Sequence, residues 1–292
     1  MEELGFWMAL SSVPGLGPRQ AKALVDAMGS ARAVWEAPER ILEAAAGARA
    51  ARAIIRARDS WNAAGEARRL EQAGVRAVTL VDREYPWLLR QIYDPPLLLY
   101  IKGNWLFPGL HVAMVGSPNP TPAGKATAFR LGWELARTGA VVVTGLGWGI
   151  DHAAHRGALA AGGLTMAVLA SGLDVPRQHG QRLFMSQIAR RGALVSEYPC
   201  GIPPASWRRT ACSRLISGLC HGTVLVDGTI RGPELLTADF ALEQGREVLA
   251  VPGEPGSPLG EAPRALLAAG ATPARSGEQV VESIQAAGWR AI

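Results

Sequence analysis

The sequence predicts an α/β protein, a parallel, doubly wound sheet preceded by a small all-α segment. Two observations carry this. From about residue 75 short β-rich runs alternate with helical ones, the signature of repeated βαβ units. Before that point apolar residues recur only at helical spacing, in FWMAL, AKALVDAM, ARAVWEA and AARAIIRARDSWNAA. The division falls at residues 1–70 and 71–292.

In the first part, Val13-Pro14-Gly15-Leu16-Gly17-Pro18 and Met28-Gly29-Ser30 punctuate a bundle of short helices that ends in a longer one. In the second, strands are expected near 76–81, 97–101, 111–116, 140–145, 164–170, 193–196, 222–227 and 246–251. Several are apolar on consecutive residues, as strands covered on both faces are. Helices are expected at about 123–137, 151–161, 180–191, 207–219, 233–244 and 277–287. Such sheets bind ligands beyond the carboxyl ends of their strands. The segments to inspect are therefore Gly116-Ser117, Thr144-Gly145, Ser171-Gly172, Ser196-Glu197, Asp227-Gly228 and Pro252-Gly253.

The richest of these is Thr144-Gly145-Leu146-Gly147-Trp148-Gly149-Ile150-Asp151, which follows the run Val141-Val142-Val143. Its glycines permit a sharp turn and a close ligand approach. Asp151 stands where a helix N-cap is expected, and the free N–H groups of the turn and first helical residues suit a phosphate. The third glycine comes one residue too early for a dinucleotide fingerprint, which disfavours a dehydrogenase. Val115 to Ala126 resembles a phosphate loop but has Asn119 at the first glycine and Ala126 at the Mg²⁺-binding hydroxyl, which argues against an NTPase.

Val13 to Leu24 has the form of a helix-hairpin-helix turn. Gly15 and Gly17 shape the turn, Pro18 opens the next helix, and Arg19 and Lys22 approach the same phosphate. Trp207, Arg208, Arg209 and Arg214 begin another helix as a cationic and aromatic cluster, the pattern of a single-strand track. His152 and His155 share a helical face without further ligands, so no metal site is expected, and His155 is read as packing or donating a hydrogen bond near the phosphate turn.

The formal net charge of +5 favours an anionic partner, and a hydrophobic fraction of 48% can fill a sizeable core. Cys200, Cys212 and Cys220 form neither a C-x-x-C pair nor an even set, so no disulfide framework or zinc site is suggested. Neither a signal peptide nor an apolar run of membrane-spanning length is visible, and a reducing cytoplasm is the expected compartment.

With these residues in hand, the chain resembles the DNA-processing protein A (DprA, or Smf) family along nearly its whole length. The resemblance rests on Tyr85-Pro86-Trp87-Leu88, Asp94-Pro95-Pro96, Leu99 to Gly103, Val115-Gly116-Ser117, Thr144-Gly145 with Gly149-Ile150-Asp151, and Ala154-His155. It continues through Ala170-Ser171-Gly172-Leu173-Asp174, Leu194 to Glu197, Arg214 to Leu219 and Val251-Pro252-Gly253. It implies an extended Rossmann-like sheet after a helix-hairpin-helix or SAM-like domain. It also implies binding of single-stranded DNA rather than a nucleotide cofactor, help in loading RecA during natural transformation, a homodimer, and no catalytic residues. Gly116, Ser117, Thr144, Gly145, Gly149, Asp151, His155, Ser171, Gly172 and Arg214 would hold phosphates; Trp207, Arg208 and Arg209 would extend the track, with Gly15, Gly17 and Lys22 adding contact.

The sequence departs from the family pattern at the pocket. Pro118 replaces an arginine, Arg209, Cys212 and Ser213 stand in a motif otherwise aromatic and arginine-rich, and Glu234 and Glu261 add negative charge. The winged-helix tail of some members is not seen before Ile292. Two alternatives follow: a diverged paralogue acting through protein contacts, or a nucleotide phosphoribohydrolase-like enzyme, whose P-G-G-x-G-T-x-x-E segment fits Asp227 to Glu234 poorly.

Overall fold

The computed structural model describes residues 2–175, 179–253 and 256–290. Five helices come first: α1 (Glu3–Ser11), α2 (Pro18–Met28), α3 (Ala31–Glu36), α4 (Glu39–Ser60) and α5 (Ala63–Ala73). Local chemistry sets their ends. Pro18 opens α2, where its missing N–H costs nothing, and Gly29 closes it in the left-handed region (φ 85°). Ser30 Oγ accepts from the Ala33 N–H at 3.0 Å and caps α3. Gly47 breaks α4 with a non-helical φ of 81° and ψ of 158°. Phe6, Trp7, Leu10, Trp35, Leu42 and Ile54 are buried in a cluster that continues into Leu169, Met185, Ile188 and Leu194. The helical segment thus rests on one face of the sheet region.

The rest of the chain runs β1 (Arg76–Thr79), α6 (Trp87–Arg90), β2 (Leu98–Gly103), β3 (His111–Val115), α7 (Pro122–Arg137), β4 (Val141–Thr144), α8 (Ile150–Ala160), β5 (Thr165–Val168) and α9 (His179–Arg191). It continues with β6 (Ala193–Ser196), α10 (Ser206–Gly218), β7 (Gly222–Leu225), α11 (Leu235–Glu243), β8 (Glu247–Ala250), α12 (Glu261–Ala268), β9 (Thr272–Pro273) and α13 (Gly277–Ala286). Among the described residues these strands form one sheet in the order β1-β2-β6-β5-β4-β3-β7-β8-β9. From β6 to β9 all neighbours are parallel. The chain steps outward from β3 through β4, β5 and β6, then resumes on the other side with β7. The crevice between β3 and β7 is therefore the topological switch point.

The sheet is parallel, as expected, except at one edge. β1 pairs antiparallel with β2, and β2 antiparallel with β6. The β1–β2 connection carries only the one-turn helix α6, and antiparallel partners need no crossover helix. Residues 98–101 are nonetheless buried without alternation, so the apolar run does not reveal strand direction. The reversal has a consequence for the site. Tyr100 pairs with Ser196, so the residues that enter β2, Asp94 among them, arrive at the carboxyl edge of the parallel strands.

Among the described residues no helix is long and apolar enough to cross a membrane.

Candidate nucleic-acid interface

At the switch point Gly116 and Ser117 follow β3, and Asp227 follows β7. The Ser117 N–H donates to Asp227 Oδ1 at 2.7 Å. Ser117 Oγ accepts from the Asn119 N–H at 3.1 Å and shapes the loop into α7. A Cβ at Gly116 would lie 2.6 Å from Asp227 Oδ1, so the glycine admits the carboxyl. Asp227 is buried and its Oδ2 has no hydrogen-bond partner among the described residues. Burial, assisted by the charge of Glu234 and opposed by the Ser117 N–H, pushes this carboxyl up to about 6. Glu234 does not enter the crevice as a free charge; its Oε1 accepts from the Thr229 N–H at 3.1 Å within its own loop.

The folded protein therefore takes up a proton on Asp227 at higher pH than the unfolded chain does. Asp227 favours folding below about pH 4 and loses that contribution as pH rises through about 6. Asp227→Asn keeps an acceptor for Ser117 and is expected to add roughly 2 kcal/mol at pH 8, a gain that shrinks by pH 5. Urea titrations of both proteins at the two pH values check this. His155 and His221, each held by burial near 4, act oppositely and lose stability between about pH 6.5 and 4. They cancel in the difference.

The turn after β4 is built around Asp151, but not as an N-cap. Gly149 occupies that place, and Asp151 lies inside the first turn of α8. Its Oδ1 accepts from Thr144 Oγ1 at 2.9 Å and its Oδ2 from the Gly147 N–H at 3.0 Å. Burial raises its pKa against these two bonds. Cβ atoms at Gly145 and Gly147 would lie 2.7 and 2.9 Å from Asp151 Oδ2. The glycines thus make room for the protein's own carboxylate, and the Gly147 N–H expected to face a phosphate is engaged. The Ile150 N–H donates to Ser117 O at 3.2 Å and joins this turn to the switch point.

His155 is fully buried. Its ring is neutral at pH 7. A carbonyl only accepts, so Nε2–H donates to Gly145 O at 2.9 Å, while Nδ1 lies 2.6 Å from Thr165 Oγ1, whose one proton is shared between Nδ1 and Val142 O at 2.8 Å. His155 lies buried beneath the turn and holds it through Gly145.

The expected contacts after β5 and β6 also turn inward. Ser171 and Gly172 are buried; the Gly172 N–H donates to Ile202 O at 2.9 Å, and Ser171 O accepts from Ser196 Oγ at 2.9 Å. Arg214 is only 7% exposed. Its Nε donates to Asp94 Oδ2 at 2.8 Å and its Nη2 to Glu197 Oε2 at 2.7 Å. Burial alone would lower the guanidinium pKa; the two carboxylates reverse this and raise it. Cys212 and Ser213 are buried on the same helix, and burial pushes the Cys212 thiol up to about 12.

The outward side of this edge is cationic and aromatic. Trp207 is 62% exposed, and Arg208 lies over both its ring (4.8 Å) and that of Tyr198 (5.3 Å). The Arg209 side chain is exposed and has no ion-pair partner among the described residues. Trp148, which sequence reasoning did not single out, is 54% exposed on the glycine turn. Its ring leads a ladder through His152 (5.2 Å) to Phe184 (4.4 Å). Its position between two glycines of a ligand-edge turn was the available signal.

Gly15 and Gly17 are exposed at the turn between α1 and α2, with open space where a Cβ would stand. Lys22 is paired with Asp26 on the same helix. Arg19 ties this turn to the sheet's carboxyl edge by bonding the Tyr93 hydroxyl and stacking over its ring at 3.9 Å. Among the described residues no group of three or more His, Cys, Asp or Glu side chains is placed to hold a metal ion.

Residues 76–285 match the family described as DNA recombination-mediator protein A. The DNA processing protein DprA of Bacillus subtilis is 37% identical over 217 residues, spanning 73% of this chain and 72% of the relative. That of Streptococcus pneumoniae is 36% identical over 208 residues, spanning 71% and 73%. The crystal structure of DprA from S. pneumoniae superposes with a TM-score of 0.84 at 29% identity, covering 95% of this chain and 97% of that one. A Helicobacter pylori DNA processing protein A, described for its single-stranded DNA binding mode, shares the fold with a TM-score of 0.64 at 23% identity over 72% and 95%. On this breadth of match the chain belongs to the DNA recombination-mediator protein A family.

Proposed function

We propose that this chain binds single-stranded DNA along the carboxyl edge of its sheet and, in the cytoplasm and as a dimer, presents it to a RecA-type recombinase. One observation carries the reading: two exposed tryptophans, Trp148 and Trp207, flank this edge, with Arg208 and Arg209 beside the second. Exposed rings beside cations suit stacked bases and a tracked backbone. The family, and the binding described for the H. pylori relative, support the same assignment.

The test is fluorescence anisotropy of labelled oligo-dT across salt concentrations, with duplex competitor. Affinity should fall steeply with salt and favour the single strand. Trp148→Ala is expected to weaken binding roughly 5- to 100-fold, since a stacked base contributes about 1–3 kcal/mol. An unchanged affinity would remove Trp148 from the track.

A second reading rests on Arg214, whose charge is matched by Asp94 and Glu197, and on Asp151, which fills its own turn. In that reading the inner pocket holds no phosphate and the protein acts as an adaptor through protein contacts. Recombinase binding without measurable DNA binding would favour it.

A further inference from the structure

The helical segment carries a cluster that the carboxyl edge does not use. A concavity of about 230 Å³ is lined by Pro14, Gly15, Arg49, Arg52 and Arg56, with Ala50 and Ala53 at its floor. The arginines lie at i, i+3 and i+7 on α4, which puts them on one face. All three are exposed, and none has an ion-pair or side-chain hydrogen-bond partner among the described residues. The sequence supplies no carboxylate from residue 44 to 58.

This placement works against the helix. Arg49 and Arg52, and Arg52 and Arg56, are like-charge neighbours one turn apart. The break at Gly47 starts a new helical segment, so Arg49 also lies in its first turn, where the dipole disfavours a cation. Two other exposed arginines meet an acid at helical spacing, Arg32 with Glu36 and Arg130 with Glu134. No acid meets these three among the described residues, which leaves the row open to an external anion.

We infer that Arg49, Arg52 and Arg56, with the Pro14-Gly15 turn, form a second DNA-backbone site that takes successive phosphates of a single strand. Its position supports this. The turn that closes the concavity begins the segment that Arg19 ties to Tyr93, and Tyr93 directly precedes Asp94 at the sheet's carboxyl edge. A strand leaving Trp207 and Arg209 thus has a route along the hairpin to the arginine row. Arginine's planar fork suits bidentate phosphate contact. The inference rests on the single-strand reading of the sheet edge only for which strand arrives.

The experiment compares the wild-type chain with Arg49→Gln/Arg52→Gln/Arg56→Gln and with an edge variant, Trp207→Ala/Arg209→Gln, on oligo-dT of increasing length. Circular dichroism confirms that each is folded. The triple variant should keep its affinity for short oligomers and lose the gain with length. Its salt slope on the longest should fall by about 2, three phosphate contacts at roughly 0.7 each. An unchanged slope and length dependence overturns the arginine site. Loss confined to duplex binding overturns the single-strand assignment. If the triple variant alone loses the slope while the edge variant behaves as wild type, the arginine site stands and the sheet-edge reading falls. If the wild-type chain binds no DNA, both fail.

Discussion

Arg214→Ala is expected to destabilise the protein by about 3–5 kcal/mol, the usual cost of removing one partner from a buried ion pair. The guanidinium is 7% exposed and bridges two elements far apart in sequence: the loop entering β2, through Asp94, and the segment leaving β6, through Glu197. With Arg214 gone, the Glu197 carboxyl, 12% exposed, loses its ion-pair partner. Arg214→Lys should recover only part of the loss, because an ammonium cannot reproduce the two-pronged geometry from Nε and Nη2. Glu197→Gln in the alanine background should restore stability by removing the stranded charge. Urea denaturation of the three variants measures this. A fully stable Arg214→Ala protein with collapsed DNA affinity would instead make Arg214 a phosphate contact, and the ion triad incidental.

This residue also shows what the sequence made legible and what it did not. The helix, its start near Trp207 and the aromatic-cationic surface all follow from local pattern, and the structure begins α10 at Ser206. Whether an arginine points outward to a ligand or inward to a carboxylate depends on which distant segments converge there. Asp94 reaches Arg214 only because β2 runs antiparallel to β6, and a continuous apolar run is the same in either direction. The same limit applies at Asp151. Its place after a glycine turn was legible, but not that its carboxylate would fold back onto Thr144 and Gly147. Burial of His155 against Thr165 joins the helix after β4 to the neighbouring strand β5, a tertiary fact. The arginine row on α4 lies at helical spacing in the sequence but was not singled out there. Its proximity to the Pro14-Gly15 turn was not legible, because a helical period says nothing about what faces it.

Gly149→Ala should be the most damaging single-methyl change at the site, by about 3–5 kcal/mol. Two costs add. Gly149 sits at φ 92° and ψ −127°, a region L-residues avoid, with strain of about 1–3 kcal/mol. A Cβ there would also lie 2.5 Å from both the Ser117 and Pro118 carbonyl oxygens. Backbone cannot swing aside as a side chain does, so the turn after β4 and the loop after β3 must separate. That separation breaks the Ile150 N–H to Ser117 O bond and disturbs the Ser117 link to Asp227. The whole carboxyl edge at the switch point therefore depends on one missing methyl. Gly147→Ala is the control. Its Cβ would approach only the Asp151 carboxylate, at 2.9 Å, a side chain rather than backbone, and its φ is not in the left-handed region. It should cost about 1–2 kcal/mol, the usual range for a tight but yielding contact. Thermal and urea melts of the pair decide the point: equal stability of the two variants would mean that the β3 and β4 loops are not locked together at Gly149. A large gap, with oligo-dT binding lost only in Gly149→Ala, would mean that the lock holds the DNA-binding edge in shape.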